Sequence, residues 1–160
     1  MTIRPFIVAL VSASALFGAA PALAQSNGLY VNGGATLFDA DRVELTGLTG
    51  RLGYHFTPFV GAEGELSLGV GDDSGVELDS ALSAFGVARW PFAERFDAFA
   101  RAGVTRVEVT GGDDEGFAFG VGGHYWLTPV DGLRLDLTRH MVDDAGGDID
   151  AISLAYARRF

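Results

Sequence analysis

The sequence predicts an all-β fold, an eight-stranded antiparallel up-and-down transmembrane β-barrel, and three observations carry that reading. Apolar and polar residues alternate with period two through eight stretches, so each stretch has one apolar and one polar face when extended. The connections between stretches alternate between short turns containing or adjoining Pro and longer segments carrying Asp clusters. Aromatic residues gather toward the stretch ends in two belts, as they do at membrane interfaces. Beyond residue 24 no run approaches the ~18 uninterrupted apolar residues of a membrane helix. The 48% hydrophobic content therefore goes into strands.

In chain order, the first strand covers 29–37, with Leu29, Val31, Gly33, Ala35 and Leu37 opposite Tyr30, Asn32, Gly34 and Thr36. The second, 44–56, sets Leu48, Leu52, Tyr54 and Phe56 opposite Arg51 and His55. Thr57-Pro58 turns the chain, because Pro cannot donate within a central ladder. The third, 60–68, sets Val60, Leu66 and Leu68 opposite Glu63, Glu65 and Ser67, and 69–77 reads as an acidic loop. The fourth, 80–90, sets Leu82 and Trp90 opposite Phe85, Val87 and Arg89, with 91–95 as the turn. The fifth, 96–107, sets Phe96 and Val104 opposite Asp97, Phe99 and Arg101, and 111–116 reads as a second acidic loop. The sixth, 117–127, sets Phe117, Phe119 and Val121 opposite His124 and Trp126. The seventh, 133–141, sets three leucines opposite Arg134, Asp136, Thr138 and His140. The eighth ends at Phe160, with Ile152, Leu154 and Tyr156 on its apolar face. The aromatics at the short-turn end are Tyr54, Phe56, Trp90, Phe92, Phe96, Tyr125, Tyr156 and Phe160, and Phe38, Phe117 and Phe119 form the belt at the loop end.

Residues 1–24 have the layout of a secretory signal: Arg4, a short apolar run over 6–18, and Ala22-Leu23-Ala24 before the cut. The expected division is thus a signal peptide over 1–24, cleaved after Ala24, and one barrel domain over 25–160. Eleven Arg and no Lys stand against 21 acidic residues, for a formal charge of −10, which argues against a nucleic-acid partner. There is no cysteine, so disulfides and thiol chemistry are excluded.

The charges on the non-apolar faces are the candidate site: Arg51, Glu63, Glu65, Arg89, Asp97, Arg101, Arg134, Asp136 and Arg159. An eight-stranded barrel is just wide enough for side chains to fill it. Charges there must be paired, because a lone buried charge is very costly. The expectation is one coupled network plugging the lumen, with Glu63 paired to Arg51, Arg89 or Arg101. Periodicity alone does not say which face is inside, since a soluble barrel would show the same alternation inverted. The aromatic belts and Phe160 favour the membrane form.

The terminal stretch from Ile152 to Phe160, together with the turn-and-loop asymmetry, resembles the small bacterial outer-membrane barrels of the outer membrane protein A/X type, often labelled "porin family". The resemblance implies an outer-membrane location and a mainly structural or surface-interaction role; the alternative is a narrow porin-like channel for ions or small solutes. It also implies that Tyr156 and Phe160 serve as the assembly signal read by the barrel-assembly machinery, with periplasmic chaperones as transient partners. Arg158 departs from that pattern at a position where an aromatic is usual.

Outer-membrane lipid and lipopolysaccharide are the other expected partners. Arg106 and Arg139 follow the apolar parity of their strands near the loop end, where a planar guanidinium suits lipid phosphate. A monomer is expected. No cofactor, metal or catalytic residue is assigned: the three His have no ligand spacing, no Ser adjoins a His, and the Gly-Asp stretches lack the spacing of a Ca²⁺ loop.

Overall fold

In the computed structural model the described residues are 28–40, 43–70, 72–73, 76–109, 112–142 and 148–160, so the expected signal segment lies outside them. The alternation seen in sequence becomes nine strands: β1 (Leu29–Ala40), β2 (Val43–His55), β3 (Val60–Gly69), β4 (Asp72–Asp73), β5 (Val76–Ala93), β6 (Phe96–Val109), β7 (Gly112–Trp126), β8 (Asp131–Val142) and β9 (Ile149–Arg159). β4 is a two-residue stub paired to the start of β5. The other eight form the wall, each antiparallel to its neighbours, and the β1–β9 and β3–β5 pairings close it. The architecture is therefore an eight-stranded, all-antiparallel barrel.

Register fixes its width. Paired residues lead from Leu29 through Tyr54, Ala62, Gly86, Ala102, Phe119, Arg139 and Asp150 back to β1 at Asp39, ten residues beyond the start. A stagger of that size requires strands tilted by roughly 35–45° and leaves an interior that side chains fill. Inward positions are buried and outward ones exposed in strict alternation along β3, from Gly61 to Leu68. Leu52, Leu82, Phe117 and Leu137 are among the large apolar side chains on the outer face.

Three expectations change. In 69–77, read as an acidic loop, Gly69 ends β3, Asp72–Asp73 form β4, and Val76 and Glu77 open β5 as its partners. Of the segment 111–116, read as loop, the described part from Gly112 on is strand: β6 and β7 stay paired up to Val109↔Gly112, with Asp113 opposite Glu108 and Glu115 opposite Arg106. Asp113, Asp114 and Glu115 are three consecutive acids, so the period-two signal vanishes there although the ladder persists. The 91–95 turn is likewise shorter, because Pro91 lies within β5 at a register irregularity that leaves only Glu94-Arg95 as turn.

Two of the short turns share a motif, Tyr-x-x-Thr-Pro-x-x-Gly, at Tyr54–Gly61 and Tyr125–Gly132. In each, the Thr hydroxyl accepts from the two amides that close the turn: Thr57 from Phe59 and Val60, Thr128 from Val130 and Asp131. The closing Gly is required by proximity. A Cβ at Gly61 would lie 2.6 Å from the Tyr54 carbonyl oxygen, and one at Gly132 2.7 Å from that of Tyr125. Gly50, on the outer face of β2, has nothing within 4 Å of such a Cβ. Gly61→Ala should therefore destabilise the refolded barrel by about 1–3 kcal/mol in urea titrations, as overpacking does. Gly50→Ala should be neutral or better, and equal losses in the two variants would refute the steric account.

Candidate functional site

The parity of β2, β3, β6 and β8 points Arg51, Glu63, Glu65, Arg101, Arg134 and Asp136 into the barrel, where all six are buried. Arg134 clamps Glu63 with both terminal nitrogens, Nη1 to Oε2 at 2.5 Å and Nη2 to Oε1 at 3.0 Å. Its Nε donates to Asp136 Oδ2 at 2.8 Å. Arg101 donates from Nη1 to Glu63 at 2.8 Å and Glu65 at 2.6 Å, and from Nη2 to Asp136 at 3.0 Å and Thr138 at 2.7 Å. Arg51 reaches Glu65 through Nε at 2.6 Å and Ser153 through Nη2 at 3.1 Å. The Tyr30 hydroxyl completes the shell of Glu63 at 2.9 Å.

Phe85 and Phe99 pack against this ring from within, with the Arg101 and Arg134 guanidinium carbons each 4.3 Å from a ring centroid. Three arginines thus face three carboxylates in a desolvated layer that spans the lumen from wall to wall. Charge-assisted bonds of this kind are the strong ones, and the low dielectric raises the cost of losing any one of them.

On the loop side of the ring lies a hydroxyl layer. Thr36, Thr49 and Ser67 are linked at 2.7 and 2.8 Å, and Ser83 and Thr105 at 2.8 Å. His140 Nδ1 lies 3.3 Å from Thr105 Oγ1. One inward position further on, Phe38, Leu45, Ala81, Val107 and Ala151 close the lumen as an apolar cap. Phe38, expected in the outer aromatic belt, is therefore an interior residue; its even number gives it the inward parity of Asn32 and Thr36.

On the short-turn side, Asp97 gathers His124 Nδ1 on one oxygen at 2.7 Å, with Trp126 Nε1 at 2.6 Å and Arg89 Nη2 at 2.7 Å on the other. No direct hydrogen bond or ion pair between described residues joins this cluster to the ring, so the expected single network is two. Of the three arginines expected for Glu63, Arg101 is the one that pairs with it. Arg134, from across the barrel, is a second partner that was not expected. Arg159 also departs from expectation: it has no carboxylate partner among the described residues, donates to the Pro129 carbonyl at 2.5 Å, and lies 4.1 Å over the Trp126 ring. Tyr30, Trp126 and Phe38 were the participants that charge patterning could not reveal; only their parity marked them.

Outside, Arg106 and Arg139 are exposed at the loop end. Arg106 Nη1 donates to Glu115 at 3.1 Å, and Arg139 makes two bonds of 2.7 Å to Asp150. Trp90, Phe92, Phe96 and Tyr125 are exposed at the short-turn end. Tyr156 donates to Asp131, which also accepts from Arg158 at 3.3 Å, and Arg158 lies 5.9 Å over the Phe160 ring. Among the described residues no group of three or more His, Asp or Glu side chains could hold a metal ion.

A closed barrel with a charged, filled interior and an apolar exterior between aromatic belts is a transmembrane barrel. Residues 9–160 match the family described as "Outer membrane protein beta-barrel domain", and the chain belongs to it. That membership places it in the bacterial outer membrane. Among solved structures it is similar to the N-terminal β-barrel domain of OprF from Pseudomonas aeruginosa, at 14% identity and a TM-score of 0.63, covering 82% of this chain and 98% of that one. It is also similar to the attachment invasion locus protein Ail of Yersinia pestis, at 14% identity and a TM-score of 0.61, covering 84% and 100%. Neisserial surface protein A gives 16% identity and a TM-score of 0.59, covering 84% and 98%. At these identities the likeness is one of fold. No curated protein matches the chain.

Glu63→Gln should destabilise the barrel on the order of 3–5 kcal/mol, because it leaves buried guanidinium groups under-compensated. Double-mutant cycles in urea should show strong coupling of Glu63 with Arg134 and Arg101 and almost none with Arg89. Coupling to Arg89 as large as to Arg134 would contradict the two-cluster arrangement.

Proposed function

We propose that this protein is a plugged outer-membrane barrel whose role is structural and surface-interactive. The observation that carries this reading is the desolvated ring of three arginines and three carboxylates, backed by Phe85 and Phe99 and closed toward the loops by the apolar cap. An ion crossing the lumen would have to break bonds to Glu63, each of whose oxygens accepts two donors. No catalytic role is assigned, since among the described residues no serine hydroxyl is hydrogen-bonded to a histidine. Purified protein reconstituted in planar bilayers should show no stepwise conductance in molar salt. Reproducible unitary steps that vanish in a denatured control would establish the narrow-channel alternative instead.

Lipopolysaccharide is the proposed partner of the outer rim. The neighbouring structure of Ail includes a complex with sucrose octasulfate, a heparin analogue. The sequence at and between the strand ends on that side carries Asp39, Asp72, Asp73, Asp113, Asp114, Asp143, Asp144 and Asp148, the wrong sign for a bare polyanion. Phosphates would instead be bridged to this rim by divalent cations, while Arg106 and Arg139 turn from Glu115 and Asp150 to meet them. At the interface such outward arginines cost only ~0–1 kcal/mol. Added lipopolysaccharide should raise the urea midpoint of the refolded barrel, and chelator should reduce the gain. The gain should also shrink in the Arg106→Ala/Arg139→Ala protein; an undiminished gain there, with and without chelator, would remove both arginines from the contact.

A further inference from the structure

The inner charges do not balance at every level. The ring matches three arginines to three carboxylates, whereas among the described side chains the short-turn mouth sets Arg89 and Arg159 against Asp97. Asp97 is already engaged by Arg89, His124 and Trp126. Asp131, in an adjoining turn, is taken by Tyr156, Arg158 and Thr128. Among the described residues Arg159 therefore has no carboxylate side chain as partner, and Arg89 Nε is buried without a hydrogen-bond partner. A cavity of about 410 Å³ opens here, lined by both arginines, His55, His124 and Trp126.

We propose that this mouth binds a phosphate-type oxyanion that still carries a proton, such as inorganic phosphate or a phosphate monoester. The two guanidinium groups supply the fixed charge and the fork of donors that phosphate accepts best. His124 supplies the discrimination. Its Nδ1 proton goes to Asp97, so Nε2 of the neutral ring is an acceptor, as in other carboxylate-oriented imidazoles. His124 lines the cavity, and an acceptor on its ring welcomes a P–OH group and repels an oxyanion without one. That disfavours sulfate and the phosphodiester of a lipid headgroup, although both carry the required charge. The site lies below the ring, so it is independent of whether the lumen conducts.

Trp126 is the built-in reporter, because Arg159 stacks on it. The other tryptophan, Trp90, lies on the outer face and is removed as Trp90→Phe. Folded Trp90→Phe protein in zwitterionic detergent should show a saturable change in emission with inorganic phosphate at constant ionic strength. Sulfate should bind at least tenfold more weakly, and chloride should give no saturable change. In nanodiscs, replacing zwitterionic lipid with phosphatidylglycerol should leave the phosphate midpoint unmoved. Arg159→Gln should weaken phosphate at least tenfold, and Arg158→Gln, on the outer face, should not. Equal midpoints for phosphate and sulfate, a phosphate response no different from chloride, or competition by phosphatidylglycerol would each overturn the proposal. These comparisons use the unaltered mouth, so they decide the matter even where Arg159→Gln fails to fold. An unchanged midpoint in folded Arg159→Gln would overturn it as well.

Discussion

A guanidinium withdrawn from water must find its counter-charge within reach, and the middle of this barrel is arranged around that constraint. Arg134 on β8 reaches across the lumen to Glu63 on β3, while Arg101 on β6 touches Glu63, Glu65 and Asp136. The wall alone would allow many registers, because its outer face is apolar all round and a slip exchanges one leucine for another. The ring forbids them. A slip of one residue in β3 would move Glu63 to the lipid face and leave two arginines without it. Buried ion pairs are weak evidence for stability, since well-packed apolar residues can do as well. Their contribution here is specification: the stagger of ten residues that sets tilt and diameter is the one at which six charges meet.

How much of this was legible in the sequence depended on the range of the interaction. Strand number, faces and the exterior followed from alternation, because parity is a local property. The wall was readable for the same reason that Arg106 and Arg139 could be assigned outward. Partner identity was not readable. Glu63 and Arg134 are 71 residues apart on strands that are not neighbours in the wall, and only closure of the barrel brings them together. Phe38 shows a different failure: proximity to a loop suggested the outer belt, while its parity already pointed inward. In 111–116 the acidic composition read as loop, whereas an antiparallel hairpin in water needs no apolar face. Arg159 was grouped with the other inner charges by parity alone, which says nothing about height along the axis.

Height explains why the two ends differ. At the loop end the lumen is closed by Phe38, Leu45 and Val107, side chains that exclude water without needing partners. At the short-turn end it is finished by Trp126, His124 and the two arginines, which remain polar and partly open. The apolar cap at the loop end shields the hydroxyl layer beneath it without calling on any charged partner. A basic, aromatic mouth at the opposite end sits against an acidic protein, so its field is local and short in range.

The polar interior also answers a demand made before folding. A barrel with a wholly apolar lumen would carry strands apolar on both faces, and such runs read as helical membrane segments once they approach ~18 residues. With Arg, Glu, Asp, Ser and Thr at many of the inward positions, the chain's mean hydropathy is only +0.24, although nearly half of its residues are hydrophobic. The same charges that keep the unfolded strands compatible with water must then be neutralised when the barrel closes, and the ring accomplishes that without importing any group. The ring joins Glu63 to Arg134 and Arg101 on strands that are not neighbours in the wall, so its pairs exist only in the closed barrel. The threonine caps and closely approached glycines act within single turns. The two classes of residue thus work at different ranges, the turns by local sterics and the closed barrel by charge.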